Sequence, residues 1–231
     1  MGKIFVIFLL VVLFFEIPAD AQKLNTYKVN PGQAVMKTIP FNAIYQYPQF
    51  KPGIVQFKNG KAGSAMMNYN SLTMKMEFIG DKGDTLSLDD IGTMRYVAIV
   101  PDTFFYSKDF VRLLSNKNGI KLAERRVLLL SNREKLGGFG EVNGGTVTTQ
   151  GQLSSSSNML KSLVAQEILT FTETFSWYFG DKFNLFKQAS RKNLLDMFGK
   201  SKPGLAQFID DNKIDFFKDE DILKLSSFLQ Q

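Results

Sequence analysis

Glu173 is the carboxylate with the most chemical promise in this chain. From Leu169 onward the odd positions Leu169, Phe171, Phe175, Trp177 and Phe179 alternate with Thr170, Thr172, Thr174 and Ser176. Glu173 occupies one of the apolar positions, between Phe171 and Phe175. A period of two in a segment rich in β-branched and aromatic residues predicts a strand over 167–179. On the buried face of such a strand the charged form of a carboxylate is disfavoured. Its pKa rises, and it suits a general acid or a cation ligand. Two plainer roles fit the same position: a salt bridge to Lys or Arg, or a strand face left partly in water. Glu167 shares the parity of Glu173, six residues earlier. Polysaccharide hydrolysis needs two acids about 5–10 Å apart across a cleft. A carboxylate-dependent hydrolase acting on an envelope polysaccharide is therefore the catalytic alternative open to this sequence.

The missing residues narrow the chemistry further. The 231 residues include no His and no Cys. Without His there is no Ser-His-Asp triad, no imidazole base and none of the usual zinc ligand sets. Without Cys no disulfide can form, so stability must come from packing. Neither a metal nor a cofactor is expected. Gly137-Gly138-Phe139-Gly140 lacks the Lys-Ser/Thr that ends a phosphate loop and the helix that follows a dinucleotide loop, and it reads as linker. Asp210-Asp211-Asn212 with Asp215 and Asp221 departs from a calcium loop, because Asp215 stands where glycine is needed and Asp221 where Glu is usual. Asp81, Asp84, Asp89 and Asp90 border turns, and turn chemistry accounts for them. The binding candidates are aromatic. Phe104-Phe105-Tyr106 suits either a contact patch or the core, and Trp177 joins it as a candidate.

The chain begins with an export pattern. Lys3 precedes an apolar run of twelve residues from Ile4 to Phe15, and Ala19-Asp20-Ala21 places small residues where a signal peptidase reads. Twelve helical residues span only about 18 Å, short of the roughly 30 Å hydrocarbon core of a bilayer. A cleavable signal peptide over 1–21 is expected, rather than an anchor, with a mature chain from Gln22 and no transmembrane segment in it. The leader holds one Lys and two acids, so its removal takes the net charge from +6 to +7. That modest excess permits attraction to anionic envelope polymers or lipid headgroups. The basic residues are scattered, not gathered as nucleic-acid binding requires.

The elements that must position these residues are mostly strands. Residues 22–48 show little periodicity and read as an extended arm. Residues 49–231 read as a single β-rich domain. Ile54 to Phe57 runs into the hairpin signal Asn59-Gly60. Ala65–Tyr69, Thr73–Ile79, Thr85–Leu88, Arg95–Val100, Thr103–Tyr106, Phe110–Leu114, Ile120–Ala123 and Arg126–Leu130 follow at short intervals. In Thr73–Ile79 the residues Met74, Met76 and Phe78 share one face and Lys75 and Glu77 the other. Gly, Thr, Ser and Asn dominate 137–158, which reads as a flexible loop. Gly180-Asp181 turns the chain into a hairpin with Phe183–Lys187. A helical tail over 189–231 follows. Ser190 caps its first helix, Pro203 opens the second and Asp219 caps the third. The fold class expected is α+β but mainly β: an antiparallel meander, as a sandwich or open barrel, with a short C-terminal helical segment.

Tyr47-Pro48-Gln49-Phe50-Lys51-Pro52-Gly53, Met67-Asn68-Tyr69-Asn70, Met76-Glu77-Phe78-Ile79 and Gly83-Asp84-Thr85-Leu86, with the tail Ile214-Asp215-Phe216 through Asp219-Glu220-Asp221 to Leu225, resemble a group of exported envelope proteins of Gram-negative bacteria. The resemblance spans roughly residues 45–231. No activity is established for that group, so it implies an envelope location and one architecture but no catalytic residues. Together these readings point to an exported, non-catalytic binding or structural protein in the periplasm or on the outer surface. Its partner would be an envelope glycan, a lipid or another protein.

Overall fold

Strands form nearly wherever the sequence alternates. The computed structural model describes residues 25–89, 91–136, 142–143 and 162–231. Its strands are β1 (Thr26–Val29), β2 (Lys51–Phe57), β3 (Ala62–Asn70), β4 (Lys75–Ile79), β5 (Thr85–Ser87), β6 (Met94–Ile99), β7 (Asp102–Ser107), β8 (Asp109–Lys117), β9 (Ile120–Leu136), β10 (Val142–Asn143), β11 (Ile168–Gly180) and β12 (Phe186–Gln188). They make one antiparallel sheet in the order β1-β11-β9-β8-β7-β6-β2-β3-β4-β5, with β10 on β9 and β12 on β11. Strands β6 to β9 are the expected meander, each joined to the next by a short turn. The sheet curls until the Leu128 amide donates to the Ser71 carbonyl at 3.0 Å and the Tyr69 hydroxyl donates to the Arg126 carbonyl at 3.1 Å. No ladder joins β4 or β5 to β9, so the sheet stays open. Ile120–Ala123 and Arg126–Leu130, expected as separate strands, are one, because no turn residue interrupts the alternation at Glu124 and Arg125. Most of the loop expected over 137–158 lies outside the described residues.

The arm expected to be extended over 22–48 is more structured in its described part. β1 lines the edge of β11. The one-turn helices α1 (Val35–Thr38) and α2 (Phe41–Ile44) follow. Val29, Val35, Ile39 and Ile44 are buried against Leu128 and Phe171. Pro40 and the Pro31-Gly32 turn divide the segment into pieces too short for a periodic pattern, yet each piece lays an apolar residue on the sheet. The arm also covers β4. Glu77, expected on an outer face, is fully buried, and the Tyr45 hydroxyl donates to its Oε2 at 2.8 Å.

The tail contains α3 (Arg191–Phe198), α4 (Leu205–Asp211) and α5 (Asp219–Leu229). Ser190 caps α3 by accepting the Asn193 amide at 3.2 Å. Lys218, not Asp219, holds the N-cap position of α5; Asp219, Glu220 and Asp221 fill its first turn, where unpaired amides favour negative charge. Short helices are marginal alone. These bury Leu194, Leu205, Ile222 and Leu225 against one another and against Leu122 and Phe179 of the sheet. Among the described residues no helix is long and apolar enough to cross a membrane.

Candidate functional site

Glu173 lies at the end of the arm's cover over β11, on the side toward the helical tail. Its neighbour Phe171 packs under the arm, Trp177 and Phe179 pack under the tail, and Phe175 between them is exposed. Glu173 itself is 6% exposed. Arg126 Nε donates to its Oε1 at 2.5 Å and Asn25 Nδ2 donates to its Oε2 at 2.8 Å. The remaining Arg126 nitrogens donate to the carbonyls of Tyr45 at 3.0 Å, Asn42 at 2.8 Å and Ala43 at 3.0 Å. These are carbonyls of α2 and its C-cap that the helix leaves without partners. One guanidinium thus serves a buried acid and a helix end together.

A second set of paired charges continues across the sheet. Arg112 stands opposite Glu124, and Glu124 shares the face of Arg126 two residues away on β9. Arg112 donates to Glu124 Oε1 from Nε at 3.0 Å and Nη2 at 2.5 Å, and to Asp102 Oδ1 from Nη1 at 3.1 Å. The Tyr47 hydroxyl donates to Asp102 Oδ2 at 2.7 Å. Burial works to lower the Arg112 pKa, but Glu124 and Asp102 outweigh it and hold it above the ordinary value. Burial pushes the Tyr45 and Tyr47 phenols well up, and the carboxylates of Glu77 and Asp102 push them further. Glu167 stands apart from this belt and meets Arg133 at 3.3 Å.

Charge is arranged differently where β6, β7 and the β11–β12 turn meet. They enclose a groove of about 510 Å³. Phe105 forms its floor, 7% exposed and packed on Phe186 with ring centres 5.2 Å apart. Phe183 stands at the rim, 77% exposed, and Tyr106, 39% exposed, lines the groove from the other face of β7 with its ring centre 5.2 Å from that of Phe110. Lys58, Arg95 and Lys182 line it as well.

Each cation has a local reason for its place. Gln56 pairs with Tyr96 and Phe57 with Met94, so Arg95 is the extra residue of a β-bulge. A bulge re-aims the side chain it carries, and Arg95 is exposed while Met94 beside it is buried. Lys58 follows β2 and donates to the Gly92 carbonyl at 2.8 Å. Lys182 sits in the β11–β12 turn with its Nζ 5.0 Å from the centre of the Phe183 ring. Asp181 Oδ1 stiffens that turn by accepting the amides of Phe183 and Leu185, both at 2.9 Å. Gly180 permits it: a Cβ there would stand 2.6 Å from the buried Phe186 ring. The Ser107 hydroxyl ties β12 to β7 by donating to the Phe186 carbonyl at 3.1 Å.

None of these three cations has a carboxylate within ion-pair distance among the described residues. Burial and the nearby Asp109 raise the Tyr106 pKa, but Asp109 is itself paired with Arg125. Exposed cations beside aromatic faces can grip an anionic group and stack the ring or chain that carries it.

Of the residues singled out from the sequence, Phe105 and Tyr106 thus meet at the groove. Phe104 is core, 2% exposed, with its ring centre 6.0 Å from that of Tyr69. Trp177 is half-buried against the helical tail. Sequence reading passed over Lys58, Arg95, Lys182 and Phe183. The Lys182-Phe183 pair after the Gly180-Asp181 turn was a usable signal; the bulge that aims Arg95 depends on pairing with a distant strand and left none. A second, shallower hollow of about 550 Å³ lies over β2, β3 and β6, with exposed Ile54, Met66 and Val100. Among the described residues no group of three or more acidic side chains is placed to hold a metal. No family model matches the chain, and neither a curated protein nor a solved structure matches it.

Proposed function

We propose that this chain is an exported, non-catalytic binding protein of the cell envelope, located in the periplasm or on the outer surface, and that its groove takes an anionic envelope component. The observation that carries this reading is the set of three cations, Lys58, Arg95 and Lys182, gathered from separate elements around an aromatic floor without a carboxylate partner among the described residues. Like charges held near one another repel, and an incoming anion relieves that repulsion. The hydrolase alternative loses its leading acid, because both oxygens of Glu173 are engaged by protein donors.

The test is native mass spectrometry of the processed protein isolated from envelope fractions. A bound anionic molecule on the parent, absent from an Arg95→Gln/Lys182→Gln variant, supports the reading. An amino terminus at Gln22 supports export. A protein that retains residues 1–21 in the cytosol, or one that cleaves an envelope polysaccharide and loses that activity in Glu173→Gln, overturns it.

A further inference from the structure

We infer that the groove is built for a phosphomonoester carried on a sugar, an inference that rests on the binding reading above. A carboxylate is planar, carries one negative charge and is matched by a single guanidinium fork. A phosphomonoester carries about −1.5 to −2 at pH 7 on three acceptor oxygens. Lys58, Arg95 and Lys182 come from three separate elements: the turn after β2, the bulge of β6 and the β11–β12 turn. Two point charges and one fork suit a tetrahedral multivalent anion better than a single carboxylate.

The second observation is the aromatic wall. Phe183 exposes 77% of its surface beside those cations above the floor of Phe105, and Tyr106, 39% exposed, lines the groove from the other face of β7. The C–H faces of a pyranose stack on such rings, whereas phosphate alone would leave them bare to water. The groove, at about 510 Å³, falls in the size range of small-ligand sites, roughly 300–1,000 Å³. Its walls are tied by the Asp181 turn and by the Ser107 bond to β12.

The experiment is calorimetric titration of the processed chain at low salt with glucose 1-phosphate, glucuronic acid, glucose and inorganic phosphate. Glucose 1-phosphate is expected to bind about tenfold or more tightly than glucuronic acid or phosphate, and glucose not measurably. Arg95→Gln/Lys182→Gln should abolish that binding. Tyr106→Ala/Phe183→Ala should reduce it to the level of inorganic phosphate while leaving phosphate binding itself unchanged. Binding should also weaken as pH falls below about 6, where the phosphate takes up its second proton.

If glucuronic acid binds as tightly as glucose 1-phosphate, the phosphate assignment fails while the binding reading stands. If no anion binds, both fail. Vesicles distinguish the source of the headgroup. Sedimentation with vesicles carrying phosphatidylinositol 4-phosphate, and not with phosphatidylglycerol vesicles of equal charge, assigns the phosphomonoester to a lipid. Binding of glucose 1-phosphate without sedimentation on either assigns it to a glycan. Equal sedimentation on both, untouched by Tyr106→Ala/Phe183→Ala, reduces the groove to nonspecific charge and overturns the inference.

Discussion

The belt around Glu173 and the groove around Phe105 both set charge beside aromatic rings, and they treat that charge in opposite ways. In the belt every cation meets a carboxylate. Arg126 serves Glu173, and Arg112 serves Glu124 and Asp102. In the groove Lys58, Arg95 and Lys182 meet backbone, ring and solvent. A buried charge that lost its partner would cost several kcal/mol, so the belt has to be closed. An exposed cation can stand alone, and standing alone keeps it ready for a ligand. The difference teaches that the most conspicuous carboxylate in the sequence is tied into the scaffold, while inconspicuous surface cations are left without a carboxylate partner and are the ones the proposed binding would use.

The sharpest way to break this comparison is Arg126→Ala. It leaves the buried Glu173 charge with the Asn25 amide but no cation, and releases the carbonyls of Asn42, Ala43 and Tyr45. The expected loss is about 3–5 kcal/mol in urea denaturation. A loss below about 1 kcal/mol, the worth of a surface pair, would show that the belt does not hold the arm.

Alkali should act next. Tyr45, Tyr47 and Tyr69 donate their phenol protons to Glu77, Asp102 and the Arg126 carbonyl. Burial raises all three pKa values in the folded state above about 10. The folded state therefore holds these protons more tightly than the unfolded chain. Their stabilisation is complete below pH about 10 and is lost as pH rises through the folded values. Absorbance at 295 nm and circular dichroism should change together for these three phenols. If all seven tyrosines titrate near pH 10 with the dichroism intact, the buried network is not as described.

A smaller loss is expected at the groove's scaffold. Gly180→Ala presses a methyl group onto Phe186. It should cost about 1–3 kcal/mol and weaken ligand binding by shifting the Lys182 turn. Unchanged thermal stability and binding would remove that turn from the site.

Much of the fold was legible because its cause is local. Alternation located β2 to β8 and β11, and Ser190 marked the start of α3. What escaped depends on distant partners. The arm's apolar residues between Pro31-Gly32 and Pro40, Val35 and Ile39 among them, are too few to show a period, and only their cover over β9 and β11 reveals what they do. Glu77 read as an outer residue because Tyr45, which covers it, comes from another part of the chain. The position of Glu173 on an apolar face was readable, and a salt bridge was one of the roles it allowed; Arg126 as its partner was not, since parity says nothing about which strand lies alongside. Phe105 and Tyr106 stood out as aromatics, but the cations around them lie in three separate stretches of sequence that only the folded sheet brings together.

Urea denaturation of Arg95→Gln/Lys182→Gln beside the parent protein, followed by the fluorescence of the single tryptophan Trp177, tests the central claim most directly. If the groove cations are held in reserve for a ligand, the variant keeps its stability within about 0.5 kcal/mol, or gains slightly from relieved repulsion. A loss approaching that of Arg126→Ala would make those cations part of the scaffold and contradict the account.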